Sequence, residues 1–281
     1  MNEVIEYFKE KADEYDLVEN QVYWVLSDKL LWHFFKKTVL KKLPEDFLFF
    51  DAGGGTGRWS LKILQEFEKA SGLIVDLSAD MLRQAKQKVE HYKLEDRLAL
   101  IEGNLEKLAG IASNTYDVSF NFHNVLGFVE NPEVVINELV RVTKEGGYVV
   151  SLVPNLYHNL FFNLFVNNFN LFDETLSCGK GRFTENMPLM NMFTPIGLKE
   201  LYERNGLSVE LVSGFPITIY PGMQETQIKG SSEHVTDILT SAEIFNKIYE
   251  TEKVLFQNPD TASRGNQLYI VGKKKEGLKK E

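Results

Sequence analysis

The chain has 281 residues, of which 43% are hydrophobic, 12% aromatic and 25% charged, the balance of a globular protein and not of a disordered or membrane-embedded one. A formal net charge of -9 disfavours indiscriminate nucleic-acid binding, and one cysteine, Cys178, excludes a disulfide framework or a cysteine-built metal centre. No apolar run reaches the roughly 20 residues of a membrane helix, and "MNEVIEYFKEKADEY" lacks a signal-peptide core, so the expected setting is cytoplasmic.

In chain order, residues 4–43 read as helical. Val22, Leu26, Leu30 and Phe34 recur at helical spacing, and Lys36, Lys37, Lys41 and Lys42 gather where cations favour a helix C-terminus. Residues 1–44 form a helical cap on this reading. From Phe47, short apolar runs alternate with helical stretches: "FLFFD" (47–51), "GLIVD" (72–76), "LALIE" (98–102), "YDVSFN" (116–121) and "GYVVSLV" (147–153). Such near-continuous apolar strands between amphipathic helices predict a parallel sheet covered on both faces. "LSVELV" (207–212) and "QLYIVG" (267–272) supply two further strands. The fold class is thus α/β, with a core over 45–154, an insertion over 155–206, and completion of the sheet over 207–273 around a second insertion, 215–264. Insertions of that length are usually lids or small added elements. The basic segment 274–281 reads as a solvated tail.

The chemistry is concentrated in "FLFFDAGGGTGRWS" (47–60). A buried strand ends at Asp51, and Gly53, Gly55 and Gly57 precede a helix opening at Arg58. Glycines let a ligand approach the backbone, and the helix start offers unpaired N–H groups. A Walker loop would need Gly at 58, and so would the dinucleotide fingerprint. Asp51 would repel a pyrophosphate but suits an amine. S-adenosylmethionine (SAM) has an ammonium and carboxylate at one end, a nucleoside at the other, and no phosphate.

These residues resemble the first motif of the class I SAM-dependent methyltransferases, acid-x-Gly-x-Gly-x-Gly, without departure. The resemblance covers residues 45–155. It implies a Rossmann-like, doubly wound, seven-stranded sheet that is mostly parallel with its last strand antiparallel. It also implies SAM as cofactor, with S-adenosylhomocysteine as product. Asp76 would hold the ribose hydroxyls, Asn104 and Leu105 the adenine edge, and Leu77 would line the site. Read alone, Asp51 is a strand-end turn, Asp76 a helix cap and Asn104 a turn residue. Their arrival together at successive strand ends favours the functional reading, because ligands of open α/β sheets bind there. "NFHNVLGFVENP" places Asn121 and His123 at the fourth strand end. His123 is a candidate general base, or a wall of the pocket. "ADEYD" (12–16) resembles the segment whose Tyr reaches over SAM, which makes Tyr15 a site candidate beside simple helix packing. Tyr23, Trp24 and Trp32 are candidates for an acceptor pocket, although an aromatic stripe at helical spacing is usually core. No His spacing implies a metal.

For the acceptor, two readings stand. "HNVLGFVENPEVVINEL", the Asn/Phe-rich segment after Pro154, and "SRGNQLYIVGKK" resemble the bacterial tRNA carboxymethoxyuridine methyltransferases. That likeness would place Asn155, Asn159, Asn163 and Arg264 near the acceptor. Those enzymes carry a dense basic run where this chain has only Lys180 and Arg182, and a tRNA binder must neutralise several phosphates. A small-molecule or peptide acceptor, methylated on O or N, fits a partly apolar pocket with a few amides. A non-catalytic SAM-binding module is the alternative of a different class, because no general base is unambiguous.

Overall fold

The computed structural model describes residues 2–221 and 233–276. Five strands come first: β1 (Leu48–Ala52), β2 (Ser71–Asp76), β3 (Leu98–Glu102), β4 (Tyr116–Asn121) and β5 (Thr143–Pro154). A short pair, β6 (Lys180–Gly181) and β7 (Met190–Asn191), precedes β8 (Leu207–Phe215) and β9 (Gln267–Lys274). The main sheet has seven strands in the order β3-β2-β1-β4-β5-β9-β8. The first five run parallel, and β9 is antiparallel to both of its neighbours. This is the Rossmann-like arrangement expected, with the last strand reversed. The chain builds outward from β1 in one direction and then restarts at β4 in the other. A crevice opens between the carboxyl ends of β1 and β4, where such sheets take their ligands.

The helices are α1 (Asn2–Lys11), α2 (Val22–Thr38), α3 (Arg58–Glu66), α4 (Ala79–Tyr92), α5 (Val125–Phe128), α6 (Pro132–Val142), α7 (Leu156–Phe165), α8 (Phe169–Cys178), α9 (Pro195–Arg204), α10 (Glu233–Thr240) and α11 (Ala242–Leu255). Their starts follow sequence chemistry. Ser78 Oγ caps α4 by accepting from the Met81 amide at 3.3 Å. Asn131 accepts two amides at the head of α6, with Pro132 in the first turn, where a missing N–H costs nothing.

The expected helical stretch 4–43 is broken. A 3₁₀ turn, Tyr15–Asn20, separates α1 from α2, and tertiary bonds hold it: Thr56 Oγ1 donates to Asp16 at 2.7 Å and Arg58 Nε to Glu19 at 2.7 Å. The turn is thereby tied to the glycine loop, a link that no helical periodicity reports.

Two apolar layers sandwich the sheet. On one face Phe34, Phe35, Phe49 and Phe120 pack with α2, α3 and α4, and on the other Phe50, Ile136, Leu139 and Tyr202 pack with α6 and α9. Helix α2 belongs to this core: Phe34 is fully buried and stacks on Phe256 with ring centres 3.4 Å apart. The described part of the second insertion, with α10 and α11, packs over α2. Its anchor is Glu252, which takes the amides of Ile217 and Thr218 at 2.7–2.9 Å. It covers the α2 face and lines none of the cleft described below. Of the basic tail, Lys274 is structural, its ammonium donating to the Val140 and Thr143 carbonyls at 2.7 and 2.8 Å; residues 277–281 lie outside the described residues.

Candidate active site

A cleft of about 1100 Å³, solvent mouth included, opens at the carboxyl ends of β1, β2 and β4, a size that suits a small-molecule site. Its floor is the glycine loop. Gly55 has φ +53 and its Cβ position points into open space 3.9 Å from Asp76 Oδ2, so a side chain there would be strained and would enter the cleft. Its amide donates to Asp76 Oδ2 at 2.8 Å, and the Ser78 amide donates to Oδ1 at 2.8 Å. Two backbone donors thus fix the carboxylate's orientation on the cleft wall. Burial nonetheless raises the Asp76 pKa above its usual range, the amides of Ser78, Gly55 and Leu77 opposing it.

Asp51 sits at the base, 2% exposed, and accepts from Ser60 Oγ at 2.6 Å. Burial pushes its pKa up to about 7, the Ser60 hydroxyl pulling it down and Asp76 adding to the rise. Two buried acids facing one cleft disfavour a phosphate and favour a ligand that carries positive charge. An ammonium and a sulfonium meet that requirement, and the glycine floor leaves room for them. The residues present therefore fit SAM.

Tyr15, Asp51, Gly53, Gly55, Asp76, Leu77, Asn104, Leu105 and His123 all line this cleft. Asn104 also caps its own turn, Oδ1 accepting from the Glu106 amide at 2.8 Å. Gly57 does not line it; as the residue preceding α3 it packs behind the loop against Ala85 and Ile74. Asn121 is likewise displaced: fully buried, its Nδ2 donates to Ser151 Oγ at 2.7 Å within the sheet. It is still within the strand, where its side chain meets that of its cross-strand partner Ser151 on β5.

His123 follows at that tip with φ +55, and Asn124 has φ +71. Two successive left-handed residues turn the imidazole into the cleft, the kind of strain that concentrates at functional sites. Its ring stacks on Trp59 with centroids 5.6 Å apart. Burial pushes its pKa down to about 4, Asp28 opposing and Arg58 reinforcing the fall. It is neutral at pH 7, so its 3.5 Å approach to Asp28 Oδ1 is not an ion pair.

A second cavity adjoins the first, sharing Phe8, Tyr15, Arg58, His123 and Phe128 as a common wall. Helix α1 roofs both: Phe8 meets Phe128 edge-on at 5.2 Å and Tyr15 at 6.3 Å. Trp24 lines the second cavity as the aromatic stripe allowed, whereas Tyr23 is core, its hydroxyl accepting from Asn266 Nδ2 at 2.7 Å. Trp32 packs beside Trp59 away from both cavities. The first insertion contributes Met187.

The four residues expected near the acceptor, Asn155, Asn159, Asn163 and Arg264, line neither cavity. Asn155 is buried, its Nδ2 donating to the Ser263 and Gly265 carbonyls at 2.9 and 2.6 Å. Asn159 bonds the Arg182 carbonyl and accepts from Thr175 Oγ1, and Asn163 joins the same knot. Arg264 is exposed at the end of a 3₁₀ turn, its carbonyl taking the Tyr220 hydroxyl at 2.6 Å. Buried amides are satisfied by nearby backbone wherever they can be, and here they stitch the insertion together.

Asp28 and Gln267 went unnoticed in the sequence, and Arg58 was read there only as the start of a helix. Arg58 bridges Asp28 and Glu19 at the cavity wall. The available signal was Asp28 itself, an acid on the apolar face of "VYWVLSDKLLWHFF". Gln267, at the start of β9, gave none. Among the described residues no three His, Cys, Asp or Glu side chains gather as a metal site, and no helix is long and apolar enough to cross a membrane.

Comparison with known proteins agrees with this geometry. Residues 49–147 match a family described as a methyltransferase domain. The tRNA 5-carboxymethoxyuridine methyltransferase of Escherichia coli (strain K12) is 28% identical over 145 residues, which is 52% of this chain and 54% of that protein. The ubiquinone/menaquinone biosynthesis C-methyltransferase UbiE of Agrobacterium fabrum is 29% identical over 156 residues, 53% and 57% of the two chains. The match spans only about half the length of these relatives. The fold is shared with a chain from the complex between the Haloferax volcanii Trm112 methyltransferase activator and a methyltransferase (TM-score 0.60, 18% identity, 97% and 98% of the chains covered). It is shared also with a geranyl diphosphate C-methyltransferase from Streptomyces coelicolor (TM-score 0.56, 14% identity, 88% and 80% covered). Over residues 49–147 this chain is thus similar to a methyltransferase domain, and one of the structures that share its fold holds S-adenosyl-L-homocysteine.

Proposed function

We propose that the protein transfers a methyl group from SAM to an O or N atom of a small-molecule or peptide acceptor seated in the second cavity. The observation that carries this reading is the common wall: two adjoining cavities meet at His123, Tyr15 and Phe8, one bearing the SAM-type acids and the other largely aromatic. SAM would supply an electrophilic methyl carbon; the acceptor's lone pair would form the new bond as the sulfur–carbon bond breaks with its electrons left on sulfur, and the proton of the acceptor would pass to solvent. Asp76 holds the ribose hydroxyls, Asp51 and the loop receive the amino-acid end, and Asn104 with Leu105 brackets the base. Phe8 and Phe128 close the site from above and exclude water. Positioning two reactants in this way supplies much of the acceleration for an in-line displacement.

His123 acts in this reading as a neutral wall. A base with a pKa near 4 is poorly matched to removing a proton at pH 7. Titration calorimetry of the purified protein with SAM tests the cofactor half. Metabolite and peptide pools labelled with methyl-tritiated SAM test transfer, and binding without any turnover would favour the non-catalytic module.

A second reading takes tRNA as acceptor, supported by the similarity to the Escherichia coli tRNA enzyme. Its weakness lies in charge: Arg182 faces Glu174 at 3.9 Å, leaving few free cations on the first insertion. Mass spectrometry of tRNA nucleosides with and without the gene separates the two readings.

A further inference from the structure

The second cavity's wall holds polar atoms that the fold does not satisfy. Asp28 Oδ2 takes Arg58 Nη2, but Asp28 Oδ1 is buried with no hydrogen-bond partner. Gln267 is 4% exposed; its Nε2 donates to Asn124 Oδ1 at 2.9 Å, while Oε1 is buried and unpartnered. His123 Nε2 is also buried without a partner, 3.5 Å from Asp28 Oδ1. All three side chains line this cavity, and they come from α2, β9 and the tip of β4. Burying a polar group unpaired costs roughly 1–3 kcal/mol, so acceptors left unpartnered in the wall of one cavity favour a ligand that donates to them. Asp28 Oδ1 and Gln267 Oε1 can only accept.

The cavity's cations are already engaged. Arg58 bonds Glu19 and Asp28, and the Lys11 ammonium lies 4.6 Å from the centre of the Tyr7 ring. An anionic acceptor would therefore meet two occupied cations and one free carboxylate oxygen. The remaining wall, with Trp24, Tyr7 and Phe128, is aromatic and favours a flat body.

Resting on the methyltransferase reading above, we propose that this cavity is the acceptor subsite and selects an uncharged planar ring bearing adjacent O–H or N–H donors, held by Asp28 Oδ1 and Gln267 Oε1, in preference to a carboxylate. One donor lies against Asp28 and His123, the other against Gln267. Asp28 and Gln267 are specificity-determining residues in this assignment, and the shared wall brings the donor-bearing edge toward the methyl group.

The test uses catechol and benzoate as probes, titrated by NMR into the whole protein with and without S-adenosylhomocysteine. Catechol binds more tightly than benzoate in the expected outcome. Gln267→Leu and Asp28→Asn each weaken catechol at least fivefold, and Gln267→Leu leaves S-adenosylhomocysteine affinity and melting temperature close to wild type. Asp28→Asn also loosens Arg58, so Gln267→Leu is the cleaner arm. Benzoate binding more tightly than catechol, no catechol binding at all, or unchanged catechol affinity in Gln267→Leu overturns the assignment. A wild-type protein that fails to bind S-adenosylhomocysteine but follows the expected catechol pattern would overturn the methyltransferase reading and leave the donor-selective subsite standing.

Discussion

The two cavities that meet at His123 are built on opposite plans. The first cavity takes its two acids, its glycines and Asn104 from one stretch between Asp51 and Leu105, as three strand tips and the loops after them. The second gathers residues from α1, the 3₁₀ turn, α2, the β4 tip, the first insertion and β9. A pocket made of neighbouring segments is fixed by short-range geometry; one made of distant segments can be altered at any of them without disturbing its partner. The same contrast separates the two insertions, since among the described residues only the first reaches either of these cavities, through Met187, and the described part of the second thickens the core around Phe256.

Substitutions can break or sharpen this contrast. The largest effect is expected away from both cavities. Phe34→Ala, which empties the stack against Phe256, should cost about 3–5 kcal/mol in urea unfolding; a loss below about 1 kcal/mol would make α2 a detachable cap and not core. Within the cofactor half, Gly55→Val places a branched side chain at positive φ in the cleft. It should weaken SAM binding by about 2–3 kcal/mol, and a wild-type dissociation constant in calorimetry would contradict the cradle. Asp76→Ala should lower SAM affinity by about 1–3 kcal/mol through lost charged hydrogen bonds, with catechol binding to the second cavity unaffected.

Acidity offers finer probes. With its pKa raised to about 7, Asp51 must ionise to receive an ammonium, so SAM affinity should rise with pH up to about 7, by at most about tenfold per unit. Asp51→Asn should flatten that rise, and an unchanged slope would remove Asp51 from the ammonium end. The smallest effect concerns His123, whose folded pKa of about 4 lies below the ordinary 6.5. The unfolded chain takes up the proton first, so stability is lost as pH falls from 6.5 toward 4, by at most about 1.4 kcal/mol per unit. His158, also held near 4 by burial, adds a loss of the same sign. His123→Gln should therefore remove only part of the slope in thermal melts between those values, and a slope unaltered by it would mean that the imidazole is not buried neutral.

Legibility in the sequence followed the same division. The strands were readable because apolar runs and Gly-rich turns are local signals; the reversal of β9 came only with the resemblance to a family. Asp51, Gly55, Asp76 and Asn104 could be located because each ends a strand or follows one at short spacing. Asn121 failed because a residue still inside the strand is taken up by its cross-strand partner Ser151, and Gly57 because a loop's last glycine serves the helix behind it. Asn155, Asn159 and Arg264 were assigned by likeness to a family, whereas their side chains or carbonyls are engaged by backbone and hydroxyl partners of the insertions. The residues that went unnoticed, Asp28 and Gln267, share a cavity only because α2 and β9 are brought together late in the chain's path, through contacts such as Thr38 to Tyr269 at 2.8 Å.

The position of β9 has a further consequence for biogenesis. Seated between β5 and β8, it is the wedge without which the far edge of the sheet has nothing to pair with. In a chain that has emerged only as far as α11, β5 lacks its antiparallel neighbour and β8 has no strand to join. The second cavity is complete only once Gln267 is threaded home.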